Sequence, residues 1–205
     1  MFSSAIQRLN DRRHAAGEIG EDSGFTLIEL MVVLLILAIL LAIAIPTFLG
    51  VTKSANDRAA QSNLNTALVN AKASFQQNGQ SYTGVNTTTL SGLEPSLTFT
   101  TGTIGGFAAN VRGSVISMYT SSDGNGVVLT AFSKSGNCWI VADNTQTITN
   151  SPTVNPTTYV GATVAGTVPL AAGTQYGKVA GTTAAACGSG QALTGASYQT
   201  SGFPS

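Results

Sequence analysis

At 205 residues the chain has room for one domain and a separate segment, and its 9 Lys and Arg balance its 9 Asp and Glu. Only 9% of the residues are charged while 43% are hydrophobic, which argues against a nucleic-acid protein that works by neutralising many phosphates. Gly, Ser, Thr, Ala and Asn dominate the remainder, a composition suited to β-turns, small-residue packing and a weakly charged polar surface.

Residues 1–24 carry Arg8, Arg12 and Arg13. Lys and Arg near a membrane helix set its orientation, so this end is expected in the cytoplasm; Glu18, Glu21 and Asp22 weigh little in that rule. Next comes Gly24-Phe25-Thr26-Leu27-Ile28-Glu29, followed by the unbroken apolar run Leu30 to Ile45. A helix from Phe25 to Ile45 is about 31 Å long and matches a hydrocarbon core of roughly 30 Å. Glu29 is the one carboxylate on it. A charge there costs on the order of 3 kcal/mol at mid-bilayer, less near the interface, and by default marks function.

A small residue, then Phe, then Glu four positions on at the head of a membrane helix resembles the type IV prepilin processing motif. The resemblance is close from Gly24 to about Gly79 and loose beyond. It implies that a prepilin peptidase cuts between Gly24 and Phe25 and methylates the freed amino group of Phe25. The apolar helix then stays with the mature protein and becomes the core of a filament, in which Glu29 meets the N-terminal amine of a neighbouring copy. Two rival readings start from the same run. An ordinary secretory signal would have Ala42-Ile43-Ala44 as its cleavage site and release a binding protein beginning at Ile45; Glu29, and a helical pattern that continues past that point, oppose it. A simple membrane anchor explains the length but not Glu29.

The single histidine, His14, lies in the leader. Cleavage at Gly24 leaves none, which excludes His-dependent nucleophilic catalysis and His-ligated metal sites. From Phe25 onward Lys53, Arg58, Lys72, Arg112, Lys134 and Lys178 nearly balance Glu29, Asp57, Glu94, Asp123 and Asp143.

Pro46 removes a helical donor. It either ends the span or kinks a continuous helix, and the second is preferred because helical periodicity resumes at once. In the resembling family a proline here belongs to a stretch that extends when the filament forms. A glycine often precedes it by eight residues; this chain has Ala38, a better helix former by about 1 kcal/mol. From Ala55 to Gln77 the pattern is amphipathic, with Ala60, Leu64, Ala67, Leu68, Ala71 and Phe75 on one stripe. Asn78-Gly79 supplies the stop.

Tyr82 to Arg112 reads as loops with minor strands. Asn86-Thr87-Thr88 fits the N-glycosylation pattern, which makes Asn86 a candidate acceptor. Three strands follow at Ser114–Thr120, Val127–Ser133 and Cys138–Asp143, with SSDGNG and Lys134-Ser135-Gly136-Asn137 as hairpin turns. An antiparallel meander covering the helical stripe is expected, with Trp139 in its core. Residues 144–205 carry one charge, Lys178, and read as a loop region; the resemblance implies that it forms outer surface on the fibre, the alternative being that it is only a stabilising lid. Cys138 and Cys187 are the only cysteines; with an anchor directing the domain outward, they are expected to form a disulfide.

The fold class read from this is α+β, a pilin fold in which a long N-terminal helix packs on a small antiparallel sheet with a disulfide-tied C-terminal loop region. Its parts are a leader (1–24), a hydrophobic transmembrane and assembly helix (25–51), an amphipathic helix half (52–78) and a β-rich head (79–205). The resemblance implies a structural subunit of an extracellular type IV pilus serving adhesion, motility or DNA uptake. It is anchored in the cytoplasmic membrane by a single pass, head outside, before assembly. Implied partners are copies of itself, the prepilin peptidase, the inner-membrane assembly machinery and, for the finished fibre, a host surface or DNA. No cofactor or metal is expected. The alternatives within the superfamily are a type II secretion pseudopilin and a minor or competence pilin. Type II major pseudopilins tend to have a calcium site, and Glu94, Asp123 and Asp143 are spread too thinly for an evident one. Asp123 is better read as a hairpin residue than as a weak calcium ligand. An enzyme would have to draw a carboxylate pair from those three acids, and nothing spaces them for it. A DNA-uptake role needs Arg112, Lys134 and Lys178 to converge.

Overall fold

The computed structural model describes residues 25–121, 123–146, 172–188 and 197–204. Helix α1 is Leu27–Gln77, and the chain divides after Phe48 into two compact units. In the first unit every large apolar side chain from Phe25 to Phe48 is about half exposed or more. At ~1.5–3 kcal/mol for each such side chain moved out of water, that surface represents tens of kcal/mol of unmet burial. By length and composition the helix can cross a membrane, its most apolar window having a mean hydropathy of 3.2.

The helix runs through Pro46 without interruption, so the proline does not end it. The ring removes the donor that the carbonyl of Ala42 would use. One residue on, the Thr47 hydroxyl donates to the carbonyls of Ile43 (3.2 Å) and Ala44 (2.9 Å), the kind of local bonding that makes a proline tolerable in apolar surroundings.

In the second unit the helix buries Ala60, Leu64, Ala67, Leu68, Ala71 and Ser74, the expected stripe except that Ser74 takes the innermost place at its end. Phe75 is partly buried beside it and meets the Tyr82 ring at 4.5 Å. The helix stops at Gln77, and Gly79 and Gln80 both take positive φ (65° and 63°), the left-handed turn expected of Asn78-Gly79.

The sheet differs from the antiparallel meander in both size and pairing. It has six strands in sequence order, β1 Thr98–Thr100, β2 Val115–Thr120, β3 Gly126–Phe132, β4 Cys138–Asn144, β5 Gly173–Val179 and β6 Ser197–Gln199. The three predicted strands are β2, β3 and β4, to within a residue at each end. The mixed character comes from β1, which pairs parallel to β2 with Thr98 opposite Val115; the other pairs are antiparallel. A parallel pair needs a long crossover, supplied here by residues 101–114 with their two 3-10 turns. The segment expected to be loops also holds a short helix, α2 Thr87–Leu93.

β5 and β6 correct the reading of residues 144–205 as a loop region. β5 pairs with β4 along its whole length, Cys138 opposite Val179 and Asn144 opposite Gly173. Its sequence, GTQYGKV, has two glycines and little β-branching, so strand propensity did not reveal it. The rest of that region, residues 147–171 and 189–196, lies outside the described residues.

Both sheet faces are covered, so β4 is buried at every residue and does not alternate. On one face Ile116, Met118, Leu129, Trp139 and Val141 pack with the α1 stripe, and Phe203 closes over Trp139 and Tyr176. On the other, Val115, Val128, Ile140 and Ala142 pack beneath Ile104, Cys138 and Cys187. The Cys138–Cys187 disulfide forms as expected, with Cα atoms 5.6 Å apart. Cys187 also accepts from the Ile104 amide at 2.9 Å. Gly105 permits that approach, since a Cβ there would lie 2.5 Å from the Cα of Ala185. The lid on this face is therefore built partly from the C-terminal region.

Candidate functional site

The N-terminal turn of α1 is built as a reciprocal cap. Thr26 precedes the first helical residue, and its hydroxyl accepts from the Glu29 amide at 3.3 Å. Glu29 returns the contact: its Oε2 accepts from the Thr26 amide (2.9 Å) and the Thr26 hydroxyl (2.7 Å). This is a capping box, in which Thr and Glu three residues apart satisfy each other's orphan amides. Glu29 also sits where the helix dipole favours a negative charge. Among the described residues only Oε2 is engaged, so Oε1 is left for a further donor. Sequence reading singled out Glu29 and passed over Thr26, although T-x-x-E ahead of an apolar run carries the signal. Phe25 is 85% exposed at the start of the described chain. Gly24 lies outside the described residues, as do His14 and the leader arginines.

Two polar clamps fix the head to its own stretch of α1. Asp57 accepts from Trp139 Nε1 (3.0 Å), Asn137 Nδ2 (3.0 Å) and the Ser135 hydroxyl. Burial would raise this carboxyl, but the bonds from Ser133, Ser135, Trp139 and Asn137 outweigh it and hold it below its ordinary value. About four turns of α1 beyond Asp57, Asp143 binds Lys72 Nζ (2.9 Å), the Tyr82 hydroxyl (2.6 Å) and the Thr174 hydroxyl (2.6 Å). Here too burial pushes the carboxyl up, and Thr174, Tyr82 and Lys72 together bring it below its ordinary value. The first clamp holds the β3–β4 turn and the second holds the far ends of β4 and β5.

The acids considered for an enzyme or a metal are engaged separately. Glu94 accepts from the Ser96 hydroxyl at 2.6 Å, and Asp123 accepts from the Asn125 amide at 3.0 Å inside the β2–β3 turn. Among the described residues no group of three or more His, Cys, Asp or Glu side chains gathers. Gly124, at φ 74°, completes that turn and accepts from the Tyr82 amide at 2.8 Å; a Cβ would collide with Ser81. Asn86 is exposed and caps α2, its Oδ1 accepting from the Thr89 amide (2.9 Å) and hydroxyl (3.1 Å).

Two comparisons with known proteins bear on this arrangement. Residues 21–45 match the family described as the prokaryotic N-terminal methylation motif. Over 120 residues the chain is 34% identical to the type IV wide pilus major component PilA4 of Thermus thermophilus, covering 58% of this chain and 79% of that protein. No solved structure matches the chain with significance.

Proposed function

The chain belongs to the type IV pilin family and is a structural subunit of a pilus, and from that premise we propose that it is the major subunit, polymerised through α1 after trimming between Gly24 and Phe25. The likeness to a major pilus component over most of that protein's length supports the major role. Processing by prepilin machinery and assembly into a polymer go with the family; the specific agents proposed are a prepilin peptidase that also methylates Phe25 and the inner-membrane assembly machinery. The apolar helix fits membrane anchoring before assembly into an extracellular pilus. Adhesion, motility or DNA uptake is the task proposed for the finished fibre, with a host surface or DNA as its partner.

The observation that carries the mechanism is the half-used carboxylate of Glu29. Trimming gives Phe25 an α-amino group with an ordinary pKa near 8, one residue from the capping box. In an apolar surrounding that amine and Glu29 are each costly alone, and pairing offsets part of the cost. Within one subunit Thr26 already takes Oε2, so the neighbour's amine is assigned to Oε1. That contact sets the register, and the exposed run from Leu27 to Phe48 then buries itself against copies. Glu29→Ala is expected to leave trimming largely intact while abolishing or severely cutting the yield of fibres seen by electron microscopy. Normal fibres from that variant would remove the role.

A further inference from the structure

All the cations of the head except Lys72 are gathered at one end. The sheet register defines that end: β2 begins there at Val115, β3 finishes at Phe132, β4 begins at Cys138 and β5 finishes at Val179. Asp57 reaches the β3–β4 turn at the same end, so it is also where α1 enters the head. Lys53 and Arg58 flank Asp57 on exposed helix positions, and Lys134 is exposed in the β3–β4 turn. Arg112 stands just ahead of β2, held by the carbonyls of Phe107 (2.7 Å) and Gly105 (3.1 Å). Lys134 Cε passes within 3.8 Å of the Cβ position of Gly113. Lys178 lies over the Trp139 ring at 5.0 Å, one residue from the end of β5.

The remaining cation, Lys72, is at the opposite end and is paired with Asp143. Asp123 also lies at that end, in the β2–β3 turn. Asp57 is one acid set among the basic group, and its contacts to Ser135, Asn137 and Trp139 are all to neutral donors. Glu94 also stands toward the basic end, four residues ahead of Thr98, which pairs with Val115 at the start of β2, and it accepts from the Ser96 hydroxyl; the stretches 147–171 and 189–196 carry no charge.

We propose that this end of the head is a basic collar that docks on anionic phospholipid headgroups while the subunit waits in the membrane. The proposal rests on the membrane-anchored stage described above. Within the head, the collar is at the end where the chain enters from residue 49. Lys53 follows the apolar segment by five residues in sequence, and basic residues close to a membrane-spanning run are the ones that meet headgroups. Each Lys or Arg near an anionic surface favours the docked state by roughly fivefold, and long basic side chains reach toward headgroups while their stems stay on apolar surface. Salt weakens such docking because the screening length falls below about 10 Å above 0.1 M.

The test uses the full chain in lipid nanodiscs, either phosphatidylcholine alone or with about a third phosphatidylglycerol, at about 0.05 and 0.5 M salt. A water-soluble amine-acylating reagent labels the lysines, and mass spectrometry reads each one. In the anionic discs at low salt, labelling of Lys53, Lys134 and Lys178 should slow by about threefold or more. Labelling of Lys72 should be unchanged, and high salt should abolish the difference. In a Lys53→Gln, Lys134→Gln variant, both positions exposed, the slowing at Lys178 should shrink. Equal labelling in the two lipids, slowing that includes Lys72, slowing that ignores salt, or slowing seen only on adding duplex DNA would each overturn the collar. A chain that does not co-purify with the discs overturns the anchoring as well; one that inserts yet labels alike overturns the collar alone.

Discussion

Asp143 remains charged at the far end of the sheet because three donors from separate parts of the chain converge on it. Its carboxyl is held below its ordinary value despite burial, so the linkage has a definite sign. The stabilisation is fully present above the unfolded carboxyl's value, near 3.9, and is lost as pH falls through the depressed folded value. Tyr82→Phe removes one buried donor and is expected to cost about 1.5–3 kcal/mol at neutral pH. Denaturant unfolding of the full chain in detergent should show that cost shrinking in acid, where the carboxyl is protonated in both proteins. A cost that does not change with pH would contradict a bond from the Tyr82 hydroxyl to a charged Asp143. At this scale the sequence was informative where chemistry is local. Glu29 was conspicuous as the lone acid on an apolar helix, and T-x-x-E was there to be read. Asp57 and Asp143 were not recognisable, because their partners lie 61 to 82 residues away in sequence except for Thr174, which is 31 away.

Among the elements, the second half of α1 was legible from periodicity, since three- and four-residue steps of Ala and Leu define a face whatever covers it. β2, β3 and β4 were legible from β-branched and aromatic runs between turn residues. β1 and β6, at three residues each, are shorter than any pattern can mark, and β5 is a strand because β4 offers it a complete ladder. The Cys138–Cys187 bond ties the start of β4 to the lid over the second core, closing a loop with a sequence separation of 49. The chain-entropy estimate for that loop is about 4 kcal/mol. Cys138→Ser with Cys187→Ser is therefore expected to lower unfolding stability by about 2–5 kcal/mol and to expose the segment around Cys187 to hydrogen exchange before the α1-facing core. Equal loss of protection on both faces would contradict two separately closed cores.

Across the whole molecule the chain combines surfaces suited to two successive settings. From Phe25 to Phe48 it presents apolar side chains that lipid can cover first and copies of itself afterwards. From Leu49 onward the described residues form a buried core on each face of the sheet. In the proposed function, the transition between settings depends on a freed amine at Phe25 meeting Glu29. Mass spectrometry of the subunit from sheared surface fibres tests it most directly, by intact mass and by the sequence of the N-terminal peptide. The account predicts one species beginning at Phe25 with a methyl group on its amine. Fibres whose subunit begins at Met1 or at Ile45 would contradict it.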